Sequence, residues 1–154
     1  MSKKRIFFYL SVGLVIILTD QITKWLAVKY IRGGFFIVSK LLKIEIYKNR
    51  GIAFGFSIPY FILYILVVLV LVFCFLELRK GFIKKNFSVV LALTLVFSGA
   101  IGNLIDRLYL GYVIDILHFV PWGSMFNLAD LAILVGVGMV IWENVKPKME
   151  KRKR

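Results

Sequence analysis

Four aspartates, Asp20, Asp106, Asp115 and Asp130, stand inside or beside strongly apolar stretches. An ionisable side chain is costly there and needs a reason. Polar partners recur near them at helical spacings. Asn103, Asp106 and Arg107 stand at i, i+3 and i+4, so on a helix they share one face, and Gly99 one turn earlier lets another helix come close. Asn127 and Asp130 repeat the i, i+3 spacing, and Asp20 and Lys24 stand at i and i+4 in the order that favours an ion pair.

The chemistry open to such a set is narrow. A serine or cysteine nucleophile needs a paired base, yet His118 is the single histidine, far in sequence from any serine that a motif singles out, and Cys74 is the single cysteine, inside an apolar run. Metal hydrolysis usually draws on His or Cys ligands. These are nearly absent, which leaves only an all-oxygen site, and no metal or cofactor is expected. Carboxylates remain. Two of them brought close cannot both ionise, so one keeps its proton; the pair can then deprotonate a water while protonating a scissile carbonyl. Asparagine side chains and Arg107 can orient a substrate or meet developing charge.

The elements that must position these residues are membrane spans. Hydrophobic residues make up 60% of the 154, and stretches 51–76 and 87–105 contain no charge; about 20 apolar residues cross a hydrocarbon core. Four spans are predicted, at about 6–28, 58–78, 87–107 and 125–145, within a single membrane domain over 1–154, with outer loops 29–57 and 108–124. The fold class expected is an all-α membrane protein with a small extracytoplasmic β-sheet. Its strand is read from Leu42, Ile44 and Ile46 alternating with Lys43, Glu45 and Tyr47. Residues 3–19 have the basic start and apolar run of a signal peptide, but no small-residue cleavage site follows, so they read as a retained first span.

The net charge of +13 is spread over the flanks of apolar segments rather than along a soluble stripe, which argues for a membrane surface and against nucleic acid. Three basic residues precede the first span, four lie at 79–85 and six follow 145, against five at 32–57 and Arg107 at the edge of the second outer loop. Both termini are therefore expected in the cytoplasm, although Arg32, Lys40, Lys43, Lys48 and Arg50 work against that bias. With this topology, a rise of about 1.5 Å per residue puts Asp20, Asp106 and Asp130 in the outer half of the bilayer or at its outer edge.

The strings DQITK at 20–24, NRGIAFG at 49–55, GAIGNLIDR at 99–107, VID at 113–115 and FNLAD at 126–130, in order and spread over essentially the whole chain, resemble the lipoprotein signal peptidases, or signal peptidase II. The resemblance implies an aspartic endopeptidase of the bacterial plasma membrane. Such an enzyme removes signal peptides from prolipoproteins, cutting before a diacylglyceryl-modified cysteine, with membrane lipids around it and globomycin as the family inhibitor. Carried over, Asp115 and Asp130 would be the catalytic pair. Asn49, Asn103, Asp106, Arg107 and Asn127 would line the pocket, and Asp20, Lys24 and Gly99 would support it. The sequence departs from the pattern at Leu131, where a serine is expected, at Ile116, where an aromatic is common, and at Ile52, where an alanine is common; these touch pocket packing rather than the pair.

Plainer roles compete for several of these residues. Asp106 can cap its helix or pair with Arg107, Asp20 and Lys24 can simply support a helix, and Asn127 can be the N-cap of the fourth span. His118 reads as an interfacial or packing residue, Cys74 as lipid-facing or packing, and Trp122 as an interfacial anchor. Asp115 and Asp130 have no basic partner nearby in sequence, which favours chemistry for them. The alternative function is a small ion-coupled carrier, whose carboxylates would lie near the midplane and which usually has an internal repeat; no repeat is visible.

Overall fold

The computed structural model describes residues 2–51 and 59–152. Helices α1 (Lys3–Tyr30), α2 (Tyr60–Lys84), α3 (Phe87–Leu110) and α4 (Leu128–Arg152) alternate with strands β1 (Phe35–Val38), β2 (Leu42–Asn49), β3 (Val113–Phe119) and β4 (Ser124–Phe126). All four helices are long and apolar enough to cross a membrane, as the apolar runs predict. Their ends differ from the predicted bounds by up to seven residues, and two of these differences shape the connections. α2 continues past the predicted end at 78 through Arg79 and Lys80 to Lys84, so the connection to α3 shrinks to the left-handed Lys85 and the N-cap Asn86, whose side chain accepts from Val89 N at 3.2 Å. Long basic side chains permit this, because their stems stay apolar while the charge reaches the headgroups. α4 starts three residues later than expected, since β4 occupies 124–126. Position 58, the expected start of the second span, and Ile52 lie outside the described residues.

α3 is the central helix. It packs on α1, α2 and α4, and 50% of its most apolar window is buried, against 11–17% for the other three. The α3–α4 contact is the tightest. A Cβ on Gly99 would stand 2.4 Å from the Ala129 carbonyl oxygen, and one on Gly136 would stand 2.5 Å from that of Ala92, so both glycines are there to let backbones meet. Cys74 is buried against Leu93 and Val96, which makes it a packing residue.

The expected small sheet has four antiparallel strands in the order β1-β2-β3-β4. Only β2 showed the period of a strand. β3 is buried at each of its first four positions, so it carries no alternation of apolar and polar residues to read. Its inner face joins Ile114 and Ile116 to Ala27 of α1, with Ile31 and Ile46 packed around them. Ile116 therefore fills the seam between sheet and bundle. A register shift in β2 between Ile44 and Tyr47 sets Tyr47 opposite Asp115 and Asn49 opposite Val113.

Candidate active site

At the sheet end of the bundle the ionisable residues form two adjoining groups. In the rear group, Lys24 of α1 is 2% exposed and its Nζ lies 2.7 Å from Asp20 Oδ2 and 2.9 Å from Asp106 Oδ2 of α3. The Asp20–Lys24 pair is the one its spacing predicts. Asp106 takes its cation from across the bundle rather than from Arg107. It also accepts from Gln21 Nε2 at 2.9 Å and from the Ile114 backbone N–H at 3.1 Å, which ties the start of β3 to α3. Asp20 Oδ1 accepts from the Ala129 N–H at 2.9 Å, and so satisfies one of the free donors in the first turn of α4. Two carboxylates share one ammonium here, and each also accepts a backbone N–H.

Among the described residues, the front group has no such cation in contact. Asp115, fully buried on β3, accepts from Asn127 Nδ2 at 2.7 Å and from Asn49 Nδ2 at 2.9 Å, one donor on each oxygen. Asp130 Oδ1 accepts from Asn103 Nδ2 at 2.7 Å. Asp130 Oδ2 accepts from the Asn127 N–H at 3.1 Å while Asn127 Oδ1 accepts from the Asp130 N–H at 2.9 Å. That reciprocal pair is a capping box. Asn127 thus caps α4 with its oxygen and holds Asp115 with its nitrogen. Asn103 joins the two groups: its Oδ1 accepts from Lys24 Nζ at 3.2 Å and from Asn127 Nδ2 at 3.1 Å.

Burial, first of all, pushes the Asp115 carboxyl up to about 6, and the charge of Asp130 adds to it, while the hydrogen bonds from Asn49 and Asn127 and the charge of Lys24 pull the other way. A buried carboxyl beside a second one, with amide donors and no contacting cation, is an arrangement that retains a proton near neutral pH.

Asp115 and Asp130 open on the same cavity of about 870 Å³, whose wall also includes Asn49, Asn103 and Arg107. Of the five residues expected to line the pocket, these three reach it; Asp106 and Asn127 are buried behind its wall. The Arg107 Nη1 donates to the Asn103 carbonyl at 3.2 Å, and its own carbonyl accepts from Tyr64 OH of α2 at 2.9 Å. From Asp130 the cavity follows α4 past Leu131, Leu134 and Val137, an apolar wall exposed on the outside of the bundle. His118, taken as a packing or interfacial residue, contributes to the cavity wall as well, with Tyr47 and the exposed Trp122.

Gln21 and Ala129 lie outside the set of expected site residues. Gln21 is a polar residue next to Asp20 in an apolar helix, a signal that was available; the contribution of Ala129 is a backbone N–H, which no residue type announces.

A family model described as Signal peptidase (SPase) II matches residues 12–146 of this chain. A lipoprotein signal peptidase of Fusobacterium nucleatum subsp. nucleatum is 34% identical over 148 residues, covering 94% of this chain and 90% of that protein. One of Halalkalibacterium halodurans is 33% identical over 150 residues, covering 94% and 96%, and one of Brevibacillus brevis is 37% identical over 139 residues, covering 87% and 92%. A solved bacterial membrane enzyme superposes with a TM-score of 0.82 at 27% identity, covering 97% of this chain and 94% of that one. All three sequence relatives carry the name of a peptidase, and the carrier alternative finds no support among them.

Proposed function

Since the chain belongs to the signal peptidase II family, we propose that it removes signal peptides from diacylglyceryl-modified prolipoproteins, cutting before the modified cysteine with Asp115 and Asp130 as an aspartic catalytic pair. The observation that carries the assignment is that these two carboxylates, and neither of the other two aspartates, border the cavity that opens along the apolar side of α4. The protein works in the bacterial plasma membrane with both termini in the cytoplasm and the sheet end outward. The basic tails and the Arg79, Lys80, Lys84 and Lys85 cluster fit this orientation.

The reaction follows from one proton shared between two acids. The ionised member takes a proton from a water held between the pair. The resulting hydroxide attacks the scissile carbonyl carbon while the protonated member gives its proton to the carbonyl oxygen. Collapse of the tetrahedral species returns that proton to the carboxyl and expels the cysteine amine, which leaves with the proton first taken from water. Asn49, Asn103 and Asn127 keep the two carboxyls turned toward the cavity, and Arg107 on the same wall meets negative charge as it develops. Asp106, Asp20, Lys24 and Gly99 act behind them, by fixing α1, α3, β3 and α4 against one another. The leader helix and the acyl chains of the substrate lie along Leu131, Leu134 and Val137, and a globomycin-type inhibitor occupies the same cavity.

The test is to incubate the purified protein with a diacylated precursor and with its unmodified counterpart and to weigh the products. Cleavage of the diacylated form alone, immediately before the modified cysteine, is expected. Cleavage of neither form, or of both equally, contradicts the reading.

A further inference from the structure

From the sheet we infer that its β1 edge and the cations around it form a docking surface for anionic phospholipid headgroups in the leaflet at that end of the bundle. Among the described residues, β1 lies at the end of the strand order and pairs only with β2. Its side chains, Phe35, Phe36, Ile37 and Val38, are 46–54% exposed, and Leu41 in the following turn is 47% exposed. In water such a free apolar edge invites aggregation. In hydrocarbon its unpaired N–H and C=O groups would have no partners. The layer that satisfies both requirements is the headgroup region, where side chains reach acyl carbon while the backbone meets water and phosphate oxygen. Aromatic residues mark that level: Trp25 and Tyr30 of α1, Tyr109 of α3 and Trp122 beside β4 are all well exposed at this end.

Charge selects among headgroups. From residue 25 to 50 the chain carries Lys29, Arg32, Lys40, Lys43, Lys48 and Arg50 against one acid, Glu45. Lys43 is ion-paired with that glutamate, and the other five cations are exposed. Lys40 sits at the tip of the β1–β2 turn with φ +58°, a conformation that glycine or asparagine adopts at less cost. Lys29 lies over the rings of Trp25 and Tyr30, and Lys48 over that of Tyr112, so two cations are held at the aromatic level. These charges oppose the bias that orients the protein, and none of them contacts the aspartates. Phosphate groups carrying a net negative charge are the complement they fit; each basic residue near an anionic surface changes its affinity by about fivefold.

The surface is independent of the peptidase assignment and is read without a substrate. With Cys74→Ala to leave one thiol, Ile37→Cys (or Val38→Cys if that variant does not fold) carries a polarity-sensitive dye, and the protein is reconstituted in phosphatidylcholine vesicles with or without phosphatidylglycerol. The emission should move to the blue when phosphatidylglycerol is present. The shift should shrink with added salt and disappear in Arg32→Gln/Lys40→Asn/Lys48→Gln. In native mass spectra, the preference for bound phosphatidylglycerol over phosphatidylcholine should fall about fivefold for each of these cations removed. Equal emission in both vesicles, or a preference unchanged by the three substitutions, overturns the proposal. So does a shift that appears only when an acidic precursor peptide is added, which would assign the cations to substrate, or one that follows protein density, which would assign the edge to a second copy of the chain.

Discussion

The two halves of the polar cluster use the same acid for opposite purposes. Asp20 and Asp106 lie against the Lys24 ammonium and accept backbone N–H bonds from α4 and β3. Among the described residues, Asp115 and Asp130 receive only amide N–H bonds, three of them from the side chains of Asn49, Asn103 and Asn127. An ammonium in contact compensates a buried carboxylate, so the rear pair can hold helices together. Amides orient a carboxyl without neutralising it, so the front pair is left to share a proton. Asn103 touches both groups, and through it the ion cluster fixes one catalytic acid in place.

The largest expected effects separate the halves. Asp115→Asn and Asp130→Asn should each lower kcat by roughly 10²–10⁴-fold, the range for loss of a positioned acid or base, with folded protein still recovered from membranes. Lys24→Met should instead strike stability. Removing one partner from a buried ion cluster costs about 3–5 kcal/mol, so the thermal midpoint should drop sharply, whereas the front-pair variants should leave it nearly in place.

A smaller effect is expected where the helices touch. The side chain of Gly99→Ala would run into the Ala129 carbonyl, and overpacking of this kind costs about 1–3 kcal/mol. Because Asp130 follows Ala129 on the displaced turn, activity should fall along with stability. Unchanged turnover in this variant would mean that the position of Asp130 tolerates movement of α4, contrary to the rigid support drawn from the rear group.

The smallest effect sharpens the description of the front pair. Asp115 sits at about 6 because burial and Asp130 raise it more than Asn49, Asn127 and Lys24 lower it. As pH rises through that region the shared proton is lost and kcat should fall. Asn49→Ala removes a bond that favours the charged form, so the alkaline limb of the pH profile should move upward. A downward move would mean that Asn49 stabilises the protonated carboxyl. Folding stability carries the same sign. A carboxyl raised above its unfolded value holds its proton more tightly in the folded state, so this contribution to stability falls as pH rises from about 4 to about 6 and is level outside that window.

Much of this layout can be read from residue order because spans and helix faces are local properties. Apolar length gives the four crossings, the i, i+3 and i+4 spacings put Asn103, Asp106 and Arg107 on one side of α3, and the start of the fourth crossing gives Asn127 its capping role. Long-range choices were less visible. The nearest cation in sequence to Asp106 is Arg107, yet packing of α1 on α3 delivers Lys24 instead. β3 hides its strand character because its early residues are covered on both faces, and so the strand setting of Asp115 could not be anticipated from alternation. The register that puts Tyr47 opposite it depends on an irregularity in β2, which no pattern of side chains specified.

The most direct measurement is single-turnover cleavage of a diacylated precursor by the wild type and by the four variants Asp20→Asn, Asp106→Asn, Asp115→Asn and Asp130→Asn, each rate divided by the folded fraction. The division of labour described above predicts that the front variants lose nearly all cleavage per folded molecule, while the rear variants lose mainly folded molecules and only a smaller part of their rate, through the looser hold on Asp130. Cleavage at the wild-type rate by folded Asp115→Asn or Asp130→Asn would contradict it.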